Sequence, residues 1–210
     1  MANIFDLFKQ IEVGTAAKSS AAGSVEYIVC GLGNPGAEYA LTRHNAGFMA
    51  LDYISQREKL SVNRAKFNAL TADALFAGKR VLFMKPQTFM NASGAAVREA
   101  AEFYKIPPEK IVVISDDVHL PAGEMRIRRS GSDGGQKGLR DIIYQLNSDA
   151  FPRVRLGVGS PPPGGEMVNW VLGRIPEGDR EAFYKCIENA YDSVGLIING
   201  KIDEAMCKYN

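Results

Sequence analysis

One of the chain's two histidines and a pair of adjacent carboxylates are the residues best suited to chemistry. His44 directly precedes apolar residues at helical spacing, and Asp116 and Asp117 follow an apolar run. A carboxylate can fix one imidazole tautomer and stabilise the protonated ring. Because no serine or cysteine lies in a recognisable nucleophile motif, the pair predicts activation of water without a covalent intermediate. The other histidine, His119, is predicted to be a structural loop residue.

The segment 31–36, Gly-Leu-Gly-Asn-Pro-Gly, follows an apolar run and matches the GxGxxG pattern. A dinucleotide site needs the third glycine at a helix start, and an acidic residue about 20 positions further on. Here the chain turns at Pro35 and the helical pattern begins near Asn45, which disfavours a nucleotide-dependent oxidoreductase. A tight turn explains the glycines and leaves Asn34, which offers a donor and an acceptor, as a candidate site residue.

Basic residues concentrate between positions 126 and 155, although the 210-residue chain has a formal net charge of only +1. This stretch holds seven Lys and Arg residues against three Asp residues, a local net charge of +4. The balanced total excludes a strongly basic nucleic-acid protein of the histone type. A cationic strand face beside the glycine-rich segment 131–138 favours a phosphate-rich ligand, with a solvated charged face as the alternative.

Strands and helices alternate along the chain. Strands are predicted from apolar runs or alternation at 27–30, within a hairpin at 67–84, and at 111–115, 124–129 and 154–158. Helices are predicted from apolar spacing at 45–60, 91–104, 137–146 and 177–198. This order predicts a single α/β domain, with a mixed, mostly parallel twisted sheet and helices on both faces. Ligands bind such sheets at the carboxyl ends of strands, where Asn34 and Asp116 fall.

The start of the chain differs from the rest in composition. Residues 14–24 are small and polar, so we expect a flexible N-terminal tail at 1–24 ahead of a domain at 25–210. The three cysteines form no CxxC pair and predict neither a disulfide framework nor a thiolate zinc site. No stretch approaches the ~20 apolar residues that span a bilayer. The sequence therefore predicts a cytoplasmic protein without membrane contact, metal or cofactor.

Six blocks in a fixed order carry a family likeness. They are GLGNPG at 31–36, EY at 38–39, TRHNAG at 42–47, KPQTFMN at 85–91, DD at 116–117 and FPRVRLGVG at 151–159. Together they closely resemble the signature of bacterial peptidyl-tRNA hydrolases, and the resemblance runs from about residue 27 to the C-terminus. It implies a single α/β domain with a mixed sheet.

The resemblance implies hydrolysis of the ester that joins a peptide to the 3′-terminal ribose of tRNA, which recycles the tRNA. It implies that His44 is the general base and that Asp116 keeps it basic and oriented. Asn34 and Asn91 would bind the peptide backbone and the reacting carbonyl, and Asn34 would help to reject aminoacyl-tRNA with a free amine. The implied substrate contacts are Tyr39, Phe89, Met90, Asn91, Lys137, Arg126, Arg128 and Arg153, with the arginines clamping phosphates. We expect a monomer whose partner is peptidyl-tRNA, with no metal or cofactor.

The chain departs from the family pattern in three places. Gln136-Lys137 stands where a His-Asn pair is frequent, and the tail at 1–24 is longer than the usual start. Ser115 and His119 stand where His and Asp are common. The lysine and the tail motivate an alternative, a non-catalytic RNA-binding protein on the same fold, as chloroplast splicing-factor relatives are. The intact His44 and Asp116 favour the hydrolase.

Overall fold

A computed structural model describes residues 23–210, so the predicted tail at 1–24 lies almost wholly outside the described residues. The strands are β1 (Tyr27–Gly31), β2 (Arg64–Lys66), β3 (Ala69–Phe76), β4 (Lys79–Pro86), β5 (Ile111–Asp117), β6 (Met125–Arg128) and β7 (Arg153–Gly157). Within the described range they form one seven-stranded sheet in the order β2-β3-β4-β1-β5-β7-β6. The sheet is the layer that positions the site.

Among the described residues, three α-helices connect consecutive strands, and three more follow β7. The α-helices are α1 (Ala46–Arg57), α2 (Ser93–Tyr104), α3 (Lys137–Leu146), α4 (Met167–Val171), α5 (Arg180–Ile198) and α6 (Ile202–Tyr209). Short 3₁₀ turns at Arg43–Asn45 and Met90–Ala92 lead directly into α1 and α2. Residues 23–210 contain no helix that is both long enough and apolar enough to cross a membrane.

The centre of the sheet is parallel and its edges are antiparallel. Strands β4, β1, β5 and β7 run parallel to one another, whereas β2-β3, β3-β4 and β7-β6 are antiparallel pairs. All seven residues of β5 are buried, as expected for a strand covered on both faces. The predicted hairpin is confirmed by the pairing of β3 with β4, and so is the mixed, mostly parallel α/β sheet.

Each face of the sheet is covered by a different pair of helices. Val29 and Val112 belong to a core that includes residues of α1 and α5, whereas Cys30 and Val113 belong to a core with residues of α2 and α3. Adjacent residues of one strand belong to different cores because successive side chains of a strand point to opposite faces of the sheet. Burying each large aliphatic side chain contributes roughly 1.5–3 kcal/mol. The prediction of helices on both faces is therefore confirmed.

Two glycines let the start of α1 approach the end of β1. A Cβ on Gly31 would lie 2.3 Å from the Gly47 carbonyl oxygen, and a Cβ on Gly47 would lie 2.3 Å from Leu32 N. The Phe48 amide donates to the Leu32 carbonyl across this contact. The glycine segment thus serves helix-to-strand packing, and it brings the turn that carries His44 to the edge of the sheet.

Three short elements were absent from the sequence-based prediction. Strand β2 has three residues and α4 has five, too few for a periodic pattern to be recognised. Helix α6 packs on the core through Ile202 and Ala205. The strand predicted at 124–129 corresponds to β6, in which Met125 and Ile127 are buried and only the arginine face reaches solvent.

Candidate active site

A cavity of about 550 Å³ opens where β1 and β5 end. Its walls come from the 3₁₀ turns, the start of α3 and the α4 segment. It brings together six of the sequence-predicted site residues: Asn34, His44, Met90, Asn91, Asp116 and Lys137. The topology achieves this because β1, β4 and β5 are parallel neighbours, so the segments that follow them emerge at one edge of the sheet.

His44 and Asp116 form the most chemically distinctive pair in the cavity. His44 Nδ1 lies 2.8 Å from Asp116 Oδ2, and the side chains are 12% and 2% exposed, respectively. A carboxylate can only accept, so Nδ1 carries the hydrogen and the lone pair of the neutral ring resides on Nε2. The pair is thus arranged to leave Nε2 as a proton acceptor.

Asn34 is held by its backbone and by its side-chain oxygen. Asn45 Oδ1 accepts from Asn34 N at 2.8 Å, and Asn45 Nδ2 donates to Asn34 O at 2.9 Å. The Met90 amide donates to Asn34 Oδ1 at 2.8 Å. Because this oxygen is already engaged, Asn34 presents its NH2 group, a donor, to a ligand in the cavity.

Gln136 contacts the second carboxylate oxygen of the His44–Asp116 pair. Its Nε2 donates to Asp116 Oδ1 at 3.0 Å, and its Oε1 accepts from Leu139 N at 2.8 Å as the N-cap of α3. The sequence marked Gln136 only as a departure from the family pattern. A polar residue just before a predicted helix was the available signal for the cap, but nothing in the sequence indicated the contact with Asp116.

Asp117 and Arg155 form a second ion pair on the cavity wall. Arg155 Nε lies 2.9 Å from Asp117 Oδ2, and the carboxylate also accepts from His119 N. Arg155 stands directly opposite Arg126 in the antiparallel pair of β6 with β7. Asp117 therefore offsets like-charge repulsion between neighbouring arginines. The basic stretch contained Arg155, but spacing alone did not assign it to the cavity.

One wall of the cavity is apolar and is tied to the turn that carries His44. Residues of α4 and its C-terminal end form this wall, namely Met167, Val168, Val171 and Leu172. The Arg43 guanidinium lies 3.7 Å from the centre of the Trp170 ring and donates to the Trp170 carbonyl. Burial lowers the pKa of Arg43, and nearby Asp179 opposes that change. The residue before His44 thus anchors the helix on the opposite wall.

Arg153 does not have the environment of a phosphate clamp. Its side chain is buried, and its guanidinium donates to the carbonyl groups of Gly131, Ser132, Asp149 and Phe151. Burial is the main reason that the pKa of Arg153 is lowered, to about 10. The Arg153 guanidinium thus holds the loop before α3, and its phosphate contact stays a prediction from the resemblance.

The remaining predicted substrate residues lie outside the lining of this cavity. Phe89 is 62% exposed and directly precedes Met90, whereas Tyr39 is half-buried at the end of the 3₁₀ turn Ala37–Tyr39. Arg126 and Arg128 project from one face of β6, and Arg128 is exposed. Among residues 23–210, no group of three or more His, Cys, Asp and Glu residues is arranged to hold a metal ion.

Comparisons with known proteins agree on one family. Residues 28–210 match the family model described as peptidyl-tRNA hydrolase. A peptidyl-tRNA hydrolase of Caldanaerobacter subterraneus subsp. tengcongensis is 47% identical over 184 residues, 88% of this chain and 99% of the relative. One from Alkaliphilus metalliredigens is 46% identical with the same coverage of both chains.

A solved structure supports the same relationship. The crystal structure of peptidyl-tRNA hydrolase from Acinetobacter baumannii aligns with a TM-score of 0.83 and 33% identity. The alignment covers 90% of this chain and 96% of that one. The likeness therefore extends over the whole domain and includes the segments that build the cavity.

Proposed function

The chain belongs to the peptidyl-tRNA hydrolase family and hydrolyses peptidyl-tRNA, and we propose that it does so by general-base activation of water. The observation that carries this mechanism is the 2.8 Å contact between His44 Nδ1 and Asp116 Oδ2 at the cavity wall. Nε2 would take a proton from water as the water attacks the ester carbonyl. Asp116 would stabilise the imidazolium that forms.

The reaction requires a donor for the oxygen that gains charge as water adds to the carbonyl. Asn34 fits this role because its oxygen is engaged by Met90 N and its NH2 group remains for the ligand. Asn91, which lines the same cavity, would bind the peptide backbone. Donors fixed before the substrate arrives stabilise developing negative charge without having to reorient.

The Asn34 NH2 donor also accounts for a preference for substrates with a blocked amino group over substrates with a free one. A peptidyl-tRNA carries an amide at the nitrogen of its last residue, whereas an aminoacyl-tRNA carries a protonated amine at that position. The Asn34 NH2 group can donate to a peptide carbonyl but cannot accept from an ammonium group. We therefore assign to Asn34 a part in excluding aminoacyl-tRNA.

Residues outside the cavity would bind the tRNA. Phe89 offers an exposed ring for stacking beside the reaction centre, and Tyr39 follows the Asn34 turn in the chain. Lys137 lines the cavity, and Arg126 and Arg128 form a cationic face on β6 for phosphates. We propose that the protein acts in the cytoplasm as a monomer.

A discharge assay tests this function. Purified protein is incubated with tRNA charged with an N-acetylated amino acid and, separately, with the same amino acid carrying a free amine. We expect release of the blocked amino acid and little release of the free one. Binding of both tRNAs without release of either would instead support the RNA-binding alternative.

A further inference from the structure

Gln136 connects the start of α3 to the carboxylate that holds His44. We propose that it is a positioning residue for the hydrolytic reaction, acting through Asp116 and not through contact with the substrate. Its Nε2 lies 3.0 Å from Asp116 Oδ1, while Asp116 Oδ2 lies 2.8 Å from His44 Nδ1. Both carboxylate oxygens are thereby held. This inference rests on the proposed general-base mechanism.

The hydrogen bonds determine which way round the Gln136 amide lies. The Leu139 amide is a donor at 2.8 Å, so it must meet the side-chain oxygen and not the nitrogen. The NH2 group consequently faces Asp116. Since Nε2 has no lone pair to offer, Asp116 Oδ1 must be the acceptor of this hydrogen bond. The hydrogen bond with Leu139 N therefore orients the Gln136 amide, and the Gln136 amide in turn orients the Asp116 carboxylate.

The second hydrogen of the Gln136 NH2 group is also used. Nε2 lies 3.1 Å from Met90 Sδ, and the Met90 backbone amide donates to Asn34 Oδ1. Gln136 thus contacts both Asp116, which holds His44, and Met90, which holds Asn34. Loss of its NH2 group would loosen the first contact directly.

Burial makes the contact with Asp116 important. The Asp116 side chain is only 2% exposed, so water cannot replace a lost donor freely. Hydrogen bonds to an ionised group are stronger than those between neutral groups. Without the donor from Gln136, Oδ1 has one fewer hydrogen bond and the carboxylate is freer to rotate away from the imidazole.

A purely structural role as the cap of α3 is the competing explanation, and three variants separate the two roles. In Gln136→Ser, a short hydroxyl can still cap the helix through Leu139 N but is too short to reach Asp116. In Gln136→Glu, a carboxylate retains the cap and is favoured at a helix start, but it places negative charge beside Asp116. Gln136→His restores a side-chain N–H donor.

We expect Gln136→Ser to lower kcat by about tenfold or more, with KM changed by less than about threefold. We expect Gln136→Glu to lose more activity at pH 8 than at pH 6, because two neighbouring carboxyl groups share a proton more readily at low pH. Gln136→His should recover most of kcat. The thermal midpoint of Gln136→Ser should stay within a few degrees of that of the parent protein, because the serine hydroxyl retains the cap of α3.

Several other charged or titratable groups line the same cavity and contribute to any pH profile. They are His44, Asp117, His119, Lys137 and Arg155. Each variant retains all of them, so a change in the shape of the profile between the parent and Gln136→Glu reports on the introduced carboxyl group. The profiles are measured as kcat/KM between pH 5.5 and 9.

A second measurement does not depend on activity. The Nδ1 proton of His44, held between the ring and Asp116, is followed by NMR, and His119→Gln assigns the signals because the chain has two histidines. We expect this proton to be protected in the parent and to exchange at least several-fold faster in Gln136→Ser. This result stands even if the discharge assay shows no cleavage, so failure of the proposed function is distinguishable from failure of this inference.

Two results would overturn the inference. One is an unchanged kcat and unchanged proton exchange in Gln136→Ser, which would limit Gln136 to capping α3. The other is a loss of kcat that follows a matching fall in thermal midpoint and that Gln136→His does not restore.

Discussion

His44 Nδ1 lies 2.8 Å from Asp116 Oδ2, although the two residues are 72 positions apart in the chain. Adjacent parallel strands explain the meeting. Asp116 is the penultimate residue of β5, which pairs with β1, and the close contact of Gly31 with Gly47 holds the His44 turn at the end of β1. The fold therefore places Asp116 and His44 at the same edge of the sheet, although no local sequence motif joins the two residues.

The first prediction concerns this pair. We expect His44→Ala to lower kcat/KM for N-acetylated aminoacyl-tRNA by about a hundredfold or more, as for loss of a general base. Asp116→Asn should lower it at least about tenfold, because a neutral amide does not stabilise the imidazolium. If the two act as one unit, adding Asp116→Asn to His44→Ala should cost little more in the same assay.

His119→Ala is the matched control for the loss of an imidazole. His119 is exposed, and its backbone amide, which the variant retains, makes the contact with Asp117. Its kcat/KM should stay within about threefold of the parent. A large loss of kcat/KM in this variant, together with a small loss in His44→Ala, would show that His44 is not the base.

The second prediction tests the support of Asn34. Asn45→Ala removes both hydrogen bonds to the Asn34 backbone and leaves a buried N–H and a buried C=O unpaired. We expect a destabilisation of roughly 2–4 kcal/mol by urea unfolding, and a fall in kcat/KM. Asn45→Asp keeps the acceptor for Asn34 N but places its second oxygen against the Asn34 carbonyl, so it should lose at least as much stability. A loss below about 1 kcal/mol in Asn45→Ala would contradict this account.

The third prediction separates a structural arginine from a surface one. Arg153→Lys keeps the charge but cannot reproduce the several hydrogen bonds to loop carbonyls, so we expect a loss of roughly 2–4 kcal/mol in unfolding free energy. Arg128→Ala, at an exposed position, should change stability by less than about 0.5 kcal/mol.

The affinity for tRNA should depend on the surface residue Arg128 and not on the structural residue Arg153. If Arg128 contacts a phosphate and Arg153 does not, Arg128→Ala should reduce the slope of log Kd against log salt by about 0.7–0.9, whereas Arg153→Met, which removes the charge, should leave that slope unchanged. The measurement is a salt titration of fluorescent tRNA binding at a temperature at which both variants are folded. A reduced slope in Arg153→Met would support the phosphate contact that the resemblance implies for Arg153.

The fourth prediction concerns stability in alkaline solution. Burial raises the pKa of the Cys186 thiol to about 12, and its Sγ donates to the Glu124 carbonyl. An unfolded thiol loses its proton near pH 8.5. Above about pH 8.5, ionisation therefore stabilises the unfolded chain but not the folded chain. This contribution to stability is complete below about pH 8.5 and is lost progressively as the pH rises towards 12.

Urea unfolding under reducing conditions at pH 7, 9.5 and 10.5 measures this effect. We expect the free energy of unfolding of Cys186→Ala to fall less steeply with pH than that of the parent, by about 1.4 kcal/mol per pH unit above pH 9. At pH 7 the variant should be less stable by about 1 kcal/mol, from lost packing alone. Parallel pH profiles would show that the thiol titrates alike in both states.

The fold was largely predictable because its main elements have strong patterns. The apolar run of β5 indicated a central strand, and the glycine-terminated run of β1 marked the site-bearing edge. Helix α4 was not recognisable, because five residues do not complete two turns and its apolar side chains face a cavity. Tertiary contacts of Arg43 with Trp170, 127 positions away, fix this helix in place.

The site was predictable where one residue type dominates the chemistry. Residue type and strand order predicted that His44 pairs with one of the two carboxylates after the central strand, and the family resemblance implied that this carboxylate is Asp116. The basic stretch gave no sign that Arg153 is buried, because charge in a sequence does not show that a guanidinium satisfies buried carbonyl groups. Gln136 was missed as a partner of Asp116 because a contact across 20 positions between a loop and a strand end leaves no periodic signal.

The anchoring of Asn34 has a consequence for inhibitors. Its backbone is bound on both sides by Asn45 and its side-chain oxygen by Met90, so the amide cannot be turned round without breaking existing bonds. A small molecule that presents a carbonyl or sulfonyl oxygen at this point meets a partner already in place. One that presents an ammonium group places a donor against the Asn34 NH2 group, which is itself a donor.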